Sequence, residues 1–242
     1  MPIEKFDPQN VLEPWIIYDT VLIGTSVDPK YPGGVANFTE LAQKDHLAYL
    51  NARNTAEAGG KFYTNISSKD KLPWPFWLES IGMRFMLPSP NTNSGEEHTA
   101  LMAAEKVFAD ILPEHCVFEF AVREDTILIE KPAFLPSGFG PTGFMQMQNA
   151  SPGLSASLIT NGDPNSNNRF KFVGDAVGLP RDTPISGKLT FSDHGKTLLE
   201  ALATVPSLDF IDEVAGVAMI ELTLRGMREV QQRGEWHWGA GR

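Results

Sequence analysis

The chain has 242 residues, 20 Lys plus Arg against 30 Asp plus Glu, and one cysteine. That length buries a sizeable core without staples, while a single cysteine excludes an intramolecular disulfide framework and any cysteine-rich metal site. A net charge of -10 argues against a general nucleic-acid binder, which needs clustered cations on phosphates, and 42% hydrophobic with 21% charged residues is a globular rather than a disordered composition.

With 21 glycines and 18 prolines the chain holds more turn formers than an average domain, which points to a β-rich fold. The N-terminus, Met1 to Pro8, lacks a basic stretch followed by an apolar one. No uncharged apolar run reaches the length of a membrane span. The expectation is a protein made in a cytoplasm, with neither signal peptide nor transmembrane segment.

In chain order, Val11 to Ile23 is apolar and aromatic and reads as one or two short extended segments. Asp28 to Gly34 is a loop, because Pro and Gly punctuate it. Asn37 to Arg53 fits a helix through Leu41, His46, Leu47 and Leu50, ended by Gly59-Gly60. Period two then takes over. Phe62, Thr64 and Ile66 form a short strand, and Lys71-Leu72-Pro73-Trp74-Pro75 is a stiff connector. Trp77 to Met86 is the next strand, with Trp77, Ile81, Met83 and Phe85 on one face and Glu79 misplaced among them.

Ser94 and Glu97 make a capping box. The helix it opens carries Leu101, Ala104, Phe108, Ile111 and Leu112 and stops at Pro113. Cys116, Phe118, Phe120 and Val122 alternate with polar or small residues as a half-buried strand, and Glu124-Asp125 is a tight turn into a strand over 126–130. Residues 136–164, rich in Gly, Pro, Ser and Asn, suit loops with one short strand. Short strands follow at Phe170 and Phe172 and at Ile185, Leu189 and Phe191. Ser192 caps a short helix bearing Leu198, Leu199 and Leu202. The clearest strand is the last, with Ala218, Ile220, Leu222 and Leu224 inward and Glu221, Thr223 and Arg225 outward. About eight mostly antiparallel strands with inserted helices near 95–112 and 195–204 suit an antiparallel β-sandwich or barrel of jelly-roll type.

Most motifs that suggest chemistry fail on context. Gly138-Phe139-Gly140-Pro141-Thr142-Gly143 spells a dinucleotide fingerprint, but no helix is expected to open there, so a loop is the better reading. Asp163-x-Asn165-x-Asn167 starts like a calcium loop yet has Asn168 for the turn glycine and Gly174 for the closing Glu, which leaves a polar turn. Cys116 shares the Phe118 and Phe120 face and reads as a core thiol rather than a nucleophile. The histidines (46, 98, 115, 194 and 237) show no metal spacing, and no nucleophile elbow or phosphate loop occurs. No catalytic residue, cofactor or metal site is expected. Asn37, Asn65 and Asn149 begin N-glycosylation sequences that, without a secretory signal, read as chance.

One stretch departs from the acidic average. Arg225, Arg228, Arg233 and Arg242 accompany Trp236, His237 and Trp238. Arginine beside tryptophan suits a polar interface with lipid headgroups, a phosphate backbone or a protein. The plainer reading packs the tryptophans on the chain's own body.

The segment Phe62-Tyr63-Thr64-Asn65-Ile66 and then Leu72-Pro73-Trp74-Pro75-Phe76-Trp77-Leu78-Glu79-Ser80-Ile81-Gly82 resembles the barrel opening of the jelly-roll major capsid proteins of tailless icosahedral bacterial viruses, many of which enclose a membrane. The later order of inserted helix, paired strands, Gly/Pro/Asn-rich loops and long final strand resembles that family over residues 60–230. The resemblance implies an N-terminal extension over 1–60 and one barrel over 61–242, favoured over a compact double barrel. It further implies a self-assembling, non-enzymatic shell subunit located in the virion. Its partners would be copies of itself, other capsid proteins and, where a membrane lies beneath the shell, lipid, with no specific nucleic-acid binding. On that reading Arg225, Arg228, Arg233, Trp236, Trp238 and Arg242 are candidates for the inward face or a partner contact. A carbohydrate-type β-sandwich binding module, stacking ligand on Trp74, Trp77, Trp236 or Trp238, is the alternative, and an enzyme with a dispersed site ranks last.

Overall fold

The computed structural model describes residues 10–24, 34–50, 64–66, 72, 74–87, 103–139, 143–148, 155–160, 164–172, 176–205 and 218–231, with the backbone alone at 10, 137–139, 143–148, 155–160, 164–169 and 231. These residues are mostly β-structure in two antiparallel sheets with few helices. One sheet has the order β1 (Asn10–Ile23), β12 (Ala218–Gln231), β3 (Phe76–Met86), β9 (Pro164–Lys171) and β6 (Ser137–Phe139), and β10 (Val177–Leu179) joins it on β3. The other has the order β2 (Leu47–Leu50), β11 (Ile185–Phe191), β4 (Cys116–Val122) and β5 (Asp125–Glu130). β7 (Gly143–Gln148) and β8 (Ser155–Thr160) pair as a separate hairpin.

The inner faces of both sheets share one core. Alternation drives this. In β12, Ala218, Ile220, Leu222 and Leu224 are fully buried, and in β4 so are Cys116, Phe118, Phe120 and Val122. Tyr49 of β2 donates its hydroxyl to the Ile220 carbonyl of β12 at 3.3 Å, a direct link between the sheets. Gly187 in β11 makes room for the core, since a Cβ there would meet the Phe118 ring at 3.0 Å.

Short helices close the connections. Asn37 caps α1 (Phe38–Gln43) through the Glu40 N–H, while the Glu40 carboxylate reaches back to the Ala36 N–H. That reciprocal capping also lowers the Glu40 pKa, with the Ala36 N–H the main cause. Ser192 caps α2 (Asp193–Ala203) through the Gly195 N–H, which places Leu199 and Leu202 in the core. A π-turn at Val107–Ile111 and a 3-10 turn at Leu112–His115 lead into β4. No helix among the described residues is long and apolar enough to cross a membrane.

Several expectations need correction. The helix over Asn37–Arg53 stops at Gln43, and Leu47–Leu50 is a strand whose partner is Ser186–Leu189. A short apolar run does not reveal its own period; the neighbouring strand decides it. Val11 to Ile23 is one strand, paired with β12 over all 14 residues from Asn10 to Ile23. Residues assigned to an N-terminal extension therefore supply a strand to each sheet. Residues 136–164 hold three strands, β6, β7 and β8, where loops with one short strand were expected. Asn165 and Asn167 lie within β9 rather than in a turn. The β4–β5 turn is Arg123-Glu124, one residue early, with Arg123 at a φ of 60°. The capping box at Ser94 and the strand start at Phe62 fall outside the described residues.

The misfit at Glu79 has a physical cause. Arg225 faces Ser80 and Gly226 faces Leu78, so Glu79 is an extra residue, a β-bulge in β3. The bulge leaves Glu79 exposed and turns Phe76 and Leu78 into the core alongside Ile81, Met83 and Phe85. Trp77 falls outside that core face and is half-buried.

Candidate interaction surface

Of the candidate contact residues, Arg225 and Arg228 are described, and Arg233, Trp236, Trp238 and Arg242 lie outside the described residues. β12 places the two arginines on opposite faces of its sheet. Up to Arg225, its odd-numbered residues face away from the core; beyond the bulge, Gly226 and Arg228 face the core side, opposite Trp15 and Glu13 of β1. A Cβ at 226 would overlap the Trp77 carbonyl, so only glycine lets β12 pass β3 at this point.

Arg228 is the centre of a small cluster. Its Nε and Nη2 both donate to Glu13 Oε1. Its guanidinium carbon lies 3.4 Å from the ring centroid of Trp15 and 5.6 Å from that of Trp74. The two indoles meet edge to face at 6.3 Å. Charge and aromatic face attract each other more strongly where water is excluded. The indole N–H groups of Trp15 and Trp74 are buried and have no hydrogen-bond partner among the described residues. The Glu229 N–H donates to the Pro75 carbonyl at 3.1 Å, which holds the ribbon end against the Trp74 connector.

On the other face, Glu221 stands opposite Arg84 of β3 and Thr20 of β1. Burial pushes the Glu221 carboxyl above its ordinary 4.5, against the pull of Arg84 and Arg225. This face was expected to be solvated, yet Thr20, Ser80 and Thr223 are buried on it.

The edge of the sheet at β1 is blunted. Asn65 accepts from the Tyr18 N–H at 3.0 Å, donates its own N–H to the Tyr18 carbonyl at 3.3 Å and donates its side-chain amide to the Ile16 carbonyl. Even-numbered residues of β1 therefore turn their backbone groups outward, and Pro14, on that parity, has no N–H to offer.

The remaining sequence candidates are structural. Cys116 is buried, its thiol donates to the Leu112 carbonyl at 3.0 Å, and burial pushes its pKa far up. His115 and His194 rings meet edge-on at 4.4 Å. Gly138 lies in β6 and Gly143 opens β7, so no helix begins at Gly143. Among the described residues no group of three or more His, Cys, Asp or Glu is placed to hold a metal ion. Sequence reasoning missed Glu13 and Trp15 as partners of Arg228, because only strand pairing brings residues 215 positions apart together. No protein family, curated protein or solved structure matches the chain.

Proposed function

We propose that the chain is a self-assembling capsid subunit of jelly-roll type. The observation that carries this reading is the mirror order of pairing. β1 pairs with β12, β2 with β11, β3 with β9 and β4 with β5. Setting aside β6, β7, β8 and β10 leaves eight strands. Their orders are first, eighth, third, sixth in one sheet and second, seventh, fourth, fifth in the other. A long antiparallel hairpin folded over on itself would give this order, which supports a jelly roll of two Greek keys. It supports a single barrel built from both ends of the chain. Shell subunits use such rigid sandwiches, with faces and loops left for neighbours.

On this reading the partners are copies of the chain, other shell proteins and any lipid layer beneath the shell, and the location is the virion. Electron microscopy and sedimentation of the purified full chain test it. Capsomers or particles are the expected result. A protein that stays monomeric at high concentration, with tryptophan fluorescence that responds to sugars, would instead favour a carbohydrate-binding module.

A further inference from the structure

Three of the chain's five tryptophans, Trp15, Trp74 and Trp77, lie at one end of the β1–β12 ribbon. Trp15 and Trp77 lie opposite Gly226 and Met227 of β12, Trp74 packs on Trp15, and Trp236 and Trp238 follow a few residues after β12 ends. After Lys196 every lysine-or-arginine position is arginine: Arg225, Arg228, Arg233 and Arg242. Tryptophan and arginine without lysine is the composition of a protein–protein contact. Lipid or nucleic-acid surfaces draw on Lys as well as Arg and need uncompensated positive charge. Here, on the outer face of the ribbon, Glu229 opposite Leu12 balances Arg225 opposite Ile16, while on the core side Glu13 pairs directly with Arg228. On a chain of net charge -10, that neutral strip lets two copies meet without like-charge repulsion.

The same strip exposes apolar side chains. Leu12 is 37% exposed and Ile16 46%. Leu12 and Ile16 share one face of β1, the face away from the core. Joining by strand addition is blocked, because Asn65 occupies the edge at Tyr18 and Ile16 and Pro14 lacks a donor. Contact must therefore run through side chains. We infer that the outer face of the β1–β12 ribbon, centred on Leu12 and Ile16, is the surface on which a second copy of this chain docks. This rests on the self-assembly reading and names the surface it uses. One patch serves both copies, so they meet about a twofold axis.

Sedimentation velocity of the full chain over a concentration series tests this, with Leu12→Glu/Ile16→Glu against Ile129→Glu. Ile129 is 63% exposed on the other sheet and serves as the control. The expected result is self-association of the natural chain, weakened about tenfold or more in the double variant and unchanged in the control, with identical circular dichroism. Should the charged pair unfold the protein, Leu12→Ser/Ile16→Ser makes the same comparison. Association that survives in the double variant, or is lost in the control, overturns the inference and leaves self-assembly standing. A natural chain that never associates removes both. A monomeric chain that cosediments with phosphatidylglycerol vesicles through Leu12 and Ile16 replaces the second copy with lipid.

Discussion

Asp19 of β1 accepts the backbone N–H of Leu50, the last residue of β2, at 2.6 Å, and so ties one sheet to the other inside the core. Asp19 is 1% exposed and stands opposite Leu222, on the face that Ile17 and Val21 share. Leu50, opposite Ser186 at the end of its strand, has a φ of 63°, in the left-handed region. A buried carboxylate is expensive unless bonded, and here it satisfies a buried backbone donor at the end of the other sheet's edge strand. Asp19→Ala should destabilise the fold by about 2–3 kcal/mol, and Asp19→Asn, which keeps an acceptor oxygen, by less. Urea denaturation measures both; equal losses would mean that the hydrogen bond contributes little.

Gly226, opposite Leu78, and Gly178, opposite Trp77, both approach Trp77, and substitutions at the two should differ in cost. A Cβ at 226 overlaps the Trp77 carbonyl, whereas at 178 the nearest atom is Trp77 Nε1 at 4.0 Å. Gly226→Ala should cost about 3 kcal/mol, because a backbone atom has to move. Gly178→Ala should change stability by about 0.5 kcal/mol or less. Thermal melts of the pair decide this. A harmless Gly226→Ala would show that the bulge at Glu79 absorbs the displacement.

Glu221 sets a pH dependence with a defined sign. Its folded-state pKa is raised above the ordinary 4.5, first by burial, with Arg84 and Arg225 opposing. The folded chain therefore holds this proton more tightly than the unfolded one. Stability from that preference is full below 4.5 and is lost as pH rises through the folded value. Glu105 is shifted the same way, by burial and then by Asp110. Glu221→Gln should thus raise the urea midpoint at pH 7.5, and the gain should shrink towards zero below pH 4.5. A gain that is constant with pH would exclude the titration as its source.

Cys116 should be chemically silent in the folded chain. It is 1% exposed, its thiol donates to the Leu112 carbonyl, and burial disfavours the thiolate. Maleimide should label it only as fast as the chain unfolds, and Cys116→Ser should cost about 1–2 kcal/mol by burying a more polar hydroxyl. Rapid labelling under native conditions would place the thiol at a surface.

The legible parts of this chain were those where one element carries its own signal. The alternation in β4 and β12 put Phe118, Phe120, Ile220 and Leu222 in the core without reference to any partner. Ser192 and its helix were equally readable, because a cap is a contact over three residues. Leu47–Leu50 was misread, since four apolar residues fit a helix or a strand and only β11 chooses. Glu79 looked like an error of pattern and proved to be a bulge, a feature set by register against Arg225 and Gly226. The arginine end of the candidate surface was visible as composition. Its partners were not, because Glu13 and Trp15 reach Arg228 across almost the whole chain.

The sequence by itself determined a β-rich, acidic chain with a buried cysteine, a clear final strand and an Arg/Trp-bearing C-terminal region, because periodicity, charge and composition act locally. Tertiary structure alone decided that Asn10–Ile23 and Ala218–Gln231 pair as one ribbon, that Asp19 bridges the sheets and that Arg228 rests on the Trp15 ring beside that of Trp74. Those relationships join segments far apart in sequence, and the closure entropy of such long loops is recovered only when the whole core forms together.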